Sequence, residues 1–123
     1  MISGPMRMAC RCAEKSEHSQ HRHGAVIVKG GNILSTGYNQ LRPSNVLKTK
    51  TIHAEAHAIL KMLVSGRSSD LIGSTIYCAR WTRGGSIGNS KPCASCYELC
   101  RSVGITSCVY TIPDGTFSER IKF

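Results

Sequence analysis

Three side chains in this sequence have the types and spacing of an open zinc site. His53 begins the run Ile52-His53-Ala54-Glu55-Ala56-His57-Ala58-Ile59-Leu60, and forty residues later Lys91-Pro92-Cys93-Ala94-Ser95-Cys96 brings two thiols. One imidazole and two thiolates leave tetrahedral zinc a fourth position for water. Glu55 is too close to His53 along the chain to be a comfortable fourth ligand, but it is well placed to take a proton from that water. Zinc lowers the pKa of bound water from about 16 to near 7. A carboxylate beside it can carry the proton to a ring nitrogen and then to a departing amine. The chemistry this set implies is hydrolytic release of ammonia from an amidine-like carbon.

These residues need rigid elements to bring them together. His53 opens a helix to about Val64, with Ile52, Ala56, Ile59, Leu60 and Leu63 as its core face. Cys93 and Cys96 fall in the first turn of a second helix, Ala94 to Val103, with Pro92 at its start and Gly104 as its cap. Their i,i+3 spacing puts both thiols on one side, and a helix N-terminus favours thiolate. Around these helices the chain reads as a helix from Met6 to about Glu17, a hairpin of Gly24–Lys29 and Ile33–Tyr38, a third strand from Ser74 to Trp81, a fourth from Thr106 to Ile112, and a fifth from Thr116 to Phe123. Ser16 to His23 reads as a polar surface loop, and Thr82 to Ser90, with Gly84, Gly85 and Gly88, as a flexible one. The turn Pro113-Asp114-Gly115 makes the last two strands antiparallel. Strand–helix alternation after an opening hairpin predicts a single α/β domain over residues 1–123, a mixed sheet of about five strands with helices on both faces.

The composition narrows the class. A length of 123 residues with 41% hydrophobic content allows one domain with a real core. No apolar run is long enough to span a bilayer, and the first seven residues lack the apolar centre of a secretory signal. Seven cysteines, three of them at 93, 96 and 100, fit a reducing compartment better than a disulfide framework, so the expected location is cytoplasmic. The net charge of +9 is unevenly placed. No acid lies between Glu17 and Glu55 or between Asp70 and Glu98, where Arg22, Lys29, Arg42, Lys48, Lys50, Arg80, Arg83 and Lys91 stand. A positive mouth of this kind attracts phosphate-bearing partners.

Other readings of the same residues are weaker. A structural zinc site needs a fourth protein ligand, for which His57 and Cys100 are the candidates. A redox Cys-x-x-Cys leaves His53 and Glu55 unexplained, and an iron–sulfur site lacks a fourth thiolate. His18, His21 and His23 form an H-x-x-H-x-H cluster, read here as histidines on a surface loop. Trp81, at a strand end beside the long loop, can stack on a base, although half-buried packing is the commoner fate of such a residue.

The H-x-E…P-C-x-x-C order is the signature of zinc-dependent nucleobase deaminases. With Gly24-Ala25-Val26-Ile27-Val28, Ser35-Thr36-Gly37-Tyr38-Asn39, His53-Ala54-Glu55 with Ala58-Ile59, and Pro92-Cys93-Ala94-Ser95-Cys96 before Gly104-Ile105, the sequence resembles the cytidine deaminase superfamily, most nearly its deoxycytidylate deaminase-type branch. The resemblance runs from about residue 7 to 112. It implies a three-layer α/β/α sandwich, Zn2+ on His53, Cys93 and Cys96, and Glu55 as the catalytic proton shuttle. It also implies that Asn39 contacts the base or sugar, that Ala54 is among the substrate contacts, and that the Lys91 carbonyl accepts from the exocyclic amine. The chain departs from the branch in carrying His57 where asparagine is frequent and in the longer stretch from Trp81 to Lys91. Within the superfamily, an antiparallel final strand pair resembles the free-nucleoside deaminases. The expected reaction is cytosine to uracil in a pyrimidine nucleoside or nucleotide, by a homo-oligomer with no membrane association. Deamination of cytosine or adenine in single-stranded nucleic acid, and a silent zinc module that binds nucleic acid, are the alternatives.

Overall fold

A computed structural model describes residues 4–16, 21–41, 52–113 and 118–123. Its elements are helix α1 (Gly4–Glu14), strands β1 (His21–Lys29) and β2 (Asn32–Tyr38), helix α2 (Ala54–Val64), a short 3₁₀ turn at Ser68–Leu71, strand β3 (Thr75–Thr82), helix α3 (Ala94–Ser102), and strands β4 (Ser107–Thr111) and β5 (Ser118–Lys122). The sheet order is β2-β1-β3-β4-β5. β1 runs antiparallel to both β2 and β3, β3 is parallel to β4, and β5 returns antiparallel to β4. The expected mixed five-strand sheet and antiparallel final pair are therefore present.

Alternation along the strands sorts the side chains into two layers of core. Val26, Ala79 and Val109 pack with Met6, Ala9, Cys10 and Cys12 of α1 on one face. Ala25, Ile27, Ile76, Cys78, Cys108 and Tyr110 pack with Ala54, Ala58, Ile59 and Met62 of α2 and Cys100 of α3 on the other. The result is the three-layer sandwich. Two strand glycines set how closely the helices approach. A Cβ on Gly24 would strike the Ala9 carbonyl oxygen and the Ala13 nitrogen of α1, and one on Gly37 would strike the Ala54 carbonyl oxygen and lie 2.6 Å from the Ala58 nitrogen of α2. The Ser35 hydroxyl, which donates to the Ala58 carbonyl at 2.8 Å, ties α2 to the same strand.

Three expectations need correcting. β1 starts at His21, so His21 and His23 are strand residues and not surface-loop residues. Their backbone pairs with the extended end of β3, His21 opposite Thr82 and His23 opposite Arg80. The glycine-rich stretch after β3 is a hairpin with defined pairing: Thr82 N–H donates to the Ser86 carbonyl, Trp81 bridges Ile87, and Gly88 N–H donates to the Arg80 carbonyl at 2.9 Å. Pro92 precedes the α3 cap residue Cys93 and lies outside the helix. His18, Arg42, Lys48, Lys50, Thr51 and the Asp114-Gly115 part of the last turn lie outside the described residues. Among the described residues, no helix is long and apolar enough to cross a membrane.

Candidate active site

α2 and α3 both begin at the end of the sheet where β3 finishes and β1 starts. Their cap residues are His53 and Cys93, each in extended backbone conformation. Each cap carbonyl accepts the first helical hydrogen bond, from His57 at 2.9 Å and from Tyr97 at 2.8 Å. Two helix N-termini thus face one point, where their unsatisfied N–H groups and dipoles favour anionic ligands such as thiolates. His53 is delivered there by a short bridge in which Gln40 and Ile52 exchange backbone hydrogen bonds at 2.8 and 3.0 Å.

His53, Cys93 and Cys96 are the group of potential metal ligands among the described residues, with all ligand atoms within 4.8 Å of one another. His53 Nδ1 is 3.3 Å from Cys96 Sγ and 3.5 Å from Cys93 Sγ. Tetrahedral zinc with ordinary Zn–N and Zn–S bonds requires a nitrogen–sulfur separation of about 3.6 Å. The three donors fit the ion, and they fit it through Nδ1.

The electrostatics point the same way. Burial pushes the Cys96 thiol well up, and the neighbouring Glu55 and Cys93 charges add to that. For Cys93, desolvation also pushes up, but the Ser95 hydroxyl, the Cys96 backbone N–H and the Cys96 side chain outweigh it, so its thiol is lowered. Burial raises the Glu55 carboxyl, although its own backbone N–H, His53 and Cys96 act against that. A buried carboxylate packed among thiols is a site that wants a cation.

A cavity of about 310 Å³ opens onto this cluster and is lined by His21, His23, Asn39, His53, Ala54, Glu55, Lys91 and Cys93. It lies at the low end of the size range for small-molecule sites. Of the expected substrate contacts, Asn39, Ala54 and Lys91 line it. Asn39 also clamps β1, its Oδ1 accepting from His23 N–H at 2.9 Å and its Nδ2 donating to the His21 carbonyl at 2.6 Å. Each group keeps capacity for a second partner. Trp81 belongs elsewhere. Its side chain alternates onto the α1 face, where the indole N–H donates to the Cys10 carbonyl at 2.9 Å, so it packs and does not stack in the cavity. His57 is also turned away from the metal donors. Its Nδ1 accepts the Tyr38 N–H at 3.1 Å, and its ring meets Tyr38 edge-on. Cys100 is fully buried in the core.

Sequence reasoning missed the part played by His21 and His23. The signal was present, because His21, His23, Ala25 and Ile27 alternate onto one face. It also missed Ser90, which is buried. The Ser90 hydroxyl donates to the Cys78 carbonyl at 2.7 Å and accepts from Thr111 N–H at 2.7 Å, while the Thr111 hydroxyl donates to the Gly88 carbonyl at 2.8 Å. These bonds fasten the segment leading to Cys93 onto the ends of β3 and β4.

A family model of the cytidine and deoxycytidylate deaminase zinc-binding region matches residues 3–112. The deoxycytidylate deaminase of Mycobacterium phage D29 is 27% identical over 126 residues, covering 84% of this chain and 88% of the phage protein. The dCMP deaminase of cyanophage S-TIM5, solved in complex with dCMP and dUMP, is 25% identical, with a TM-score of 0.61 over 82% of this chain and 73% of that one. Cytidine deaminase from Burkholderia pseudomallei shares the fold, with a TM-score of 0.71 at 22% identity over 96% of this chain and 89% of that one. Matched over most of its length and carrying the His/Cys/Cys zinc set, this chain belongs to the cytidine and deoxycytidylate deaminase zinc-binding family, zinc-dependent hydrolases that act on the exocyclic amine of a nucleobase.

Proposed function

We propose that the chain converts cytosine to uracil in a free pyrimidine nucleoside or nucleotide, with Glu55 as its proton carrier and His53, Cys93 and Cys96 as its zinc ligands. The observation that carries this reading is the meeting of His53 Nδ1 with two thiols at 3.3 and 3.5 Å, in one cavity with buried Glu55. Zinc held by His53, Cys93 and Cys96 would supply the Lewis acid that makes water a nucleophile at neutral pH. Glu55 would take one proton from the attacking water and place it on the ring nitrogen N3, then pass that water's second proton to the leaving amine, so that water and cytosine become uracil and ammonia. Burial favours this role, because a carboxyl raised from its usual range holds and releases a proton nearer the working pH.

The walls supply orientation. The Lys91 carbonyl accepts from the exocyclic amine and so distinguishes an amino-substituted base from its product. Asn39 offers its remaining donor or acceptor to the base or sugar, and Ala54 leaves room for the ring above Glu55. The cavity's modest volume and the antiparallel β4–β5 pair, which resembles free-nucleoside deaminases, favour a monomeric substrate.

The test is product detection by mass spectrometry on zinc-loaded protein offered cytidine, deoxycytidine, deoxycytidylate and a mixed single-stranded oligonucleotide side by side. Uracil from one of the monomers is the expected result. Product in the oligonucleotide alone would replace this reading with nucleic-acid deamination.

A further inference from the structure

Arg80 stands beside two residues of the cavity lining. It alternates with Ile76 and Cys78 onto the α2 face of β3, directly opposite His23 and diagonal to His21, both of which line the cavity. Its Nη2 lies 2.8 Å from His21 Nδ1. Arginine does not give up its proton in proteins, so here it donates and the imidazole nitrogen accepts. Its Nε–H is buried with no hydrogen-bond partner. Among the described residues no carboxylate pairs with it; the ion pair found there is Arg67–Asp70, at the far end of α2. A guanidinium is a fixed positive charge with a planar fork of donors suited to phosphate and carboxylate. Held beside the cavity lining and paired with no carboxylate among the described residues, it is a cation suited to an external anion.

The surroundings are built to hold it there. Gly88, on the returning arm of the hairpin, lies beneath the side chain. A Cβ at that position would come 3.3 Å from Arg80 Cδ and 2.9 Å from Thr82 Cγ2. The Gly88 N–H donates to the Arg80 carbonyl, so the hairpin supports both the backbone and the stem of the same residue. Lys91, also in the cavity lining, adds a second basic residue to this region. Glu55, the acidic residue of the cavity lining, is buried beside the Cys96 thiol. His21, which Arg80 contacts, lines the same cavity as Glu55, so an anion held by Arg80 can belong to the ligand whose base meets Glu55.

We propose that Arg80, oriented by His21, forms an anion subsite that receives the phosphate of a phosphorylated pyrimidine nucleoside. The proposal rests on the reading of this cavity as a pyrimidine site and makes Arg80 the residue that separates nucleotide from nucleoside.

The experiment uses zinc-loaded Glu55→Gln protein, whose turnover is expected to be lower by about a hundredfold or more, and measures by calorimetry the affinities for deoxycytidylate, deoxycytidine and inorganic phosphate. With Arg80 present, deoxycytidylate binds about tenfold or more tightly than deoxycytidine, and phosphate competes with the nucleotide. In Arg80→Gln the ratio falls to within about threefold and phosphate binding is lost, while Arg80→Lys keeps the charge without the fork and recovers part of the ratio. Equal binding of nucleotide and nucleoside, or an unchanged ratio in Arg80→Gln, overturns the subsite. Phosphate binding that depends on Arg80 without any deoxycytidine binding would support the subsite and sink the pyrimidine reading instead. A single-stranded oligonucleotide distinguishes the phosphate's source. Arg80-dependent, steeply salt-sensitive oligonucleotide binding with mononucleotide affinity unaffected would assign the phosphate to a polymer and overturn the proposal.

Discussion

Gly37→Ala puts one methyl group where β2 meets the start of α2. The added Cβ would lie 2.6 Å from the Ala58 nitrogen and closer still to the Ala54 carbonyl oxygen, against an ordinary contact of 3.4 Å or more. Both obstacles are helix backbone, so relief requires the N-terminus of α2 to shift by at least about 0.8 Å. Overpacking of this kind costs about 1–3 kcal/mol, or somewhat more where backbone must move, which lowers the melting temperature by about 10 °C in a domain this size. Ala54 sits between His53 and Glu55, so the same shift displaces the proposed metal ligand and the proposed proton carrier together. A misplacement near 1 Å costs about a hundredfold in turnover. Gly24→Ala is the matched control, since it creates the same collision against α1 on the opposite face, away from the zinc donors. Thermal melts and turnover at saturating substrate, below both melting temperatures, give the comparison. The expected result is that both variants lose stability and that turnover falls only in Gly37→Ala. A Gly37→Ala protein with unchanged melting temperature and turnover would refute the claim that this glycine sets the seat of α2.

Three further outcomes follow from the site. Cys96→Ser should reduce bound zinc from about one per chain to near none by elemental analysis, whereas His57→Asn should retain it, because His57 faces Tyr38 and Gln40. Glu55→Gln should raise the melting temperature of chelator-treated protein near neutral pH. The folded state raises this carboxyl above its unfolded value, so the stability it contributes is complete below the unfolded pKa and lost as pH rises above it; the gain over wild type should vanish in melts at about pH 4. Ser90→Ala should lower stability by about 1–3 kcal/mol in denaturant titrations, since it strands the buried Cys78 carbonyl and Thr111 N–H, with Ser90→Thr recovering less than half because its extra methyl must fit a fully packed position.

The zinc donors were legible in the sequence because each sits at a helix start, and local signals mark helix starts well. Glu55 was legible for the same reason, being two residues into a helix that His53 opens. The layers could be read from alternation in β1 and β3 and from the three- and four-residue spacing in α1. What escaped was non-local. His21 and His23 look like a polar loop until β3 extends alongside them, and only pairing across that ladder makes them strand. The glycines at 84, 85 and 88 suggest slack, yet Gly85 and Gly88 each donate to a backbone carbonyl of the hairpin, and Gly88 makes room for Arg80. For Trp81 the packing reading holds and the base-stacking one, which rested on position, does not. Standing at a strand end near the cysteines says nothing about which face its side chain takes, and its parity with Tyr77 and Ala79 puts it against α1.

The central claim joins a three-ligand zinc site to Glu55 as proton carrier in cytosine deamination. Its most direct test is zinc content and uracil product measured on the same preparations of wild-type and Glu55→Gln protein given a monomeric cytosine substrate. The account predicts about one zinc per chain in both, with product from the wild type and turnover lower by about a hundredfold or more in the variant. Full turnover by Glu55→Gln, or a zinc-loaded wild type that forms no uracil, would contradict it.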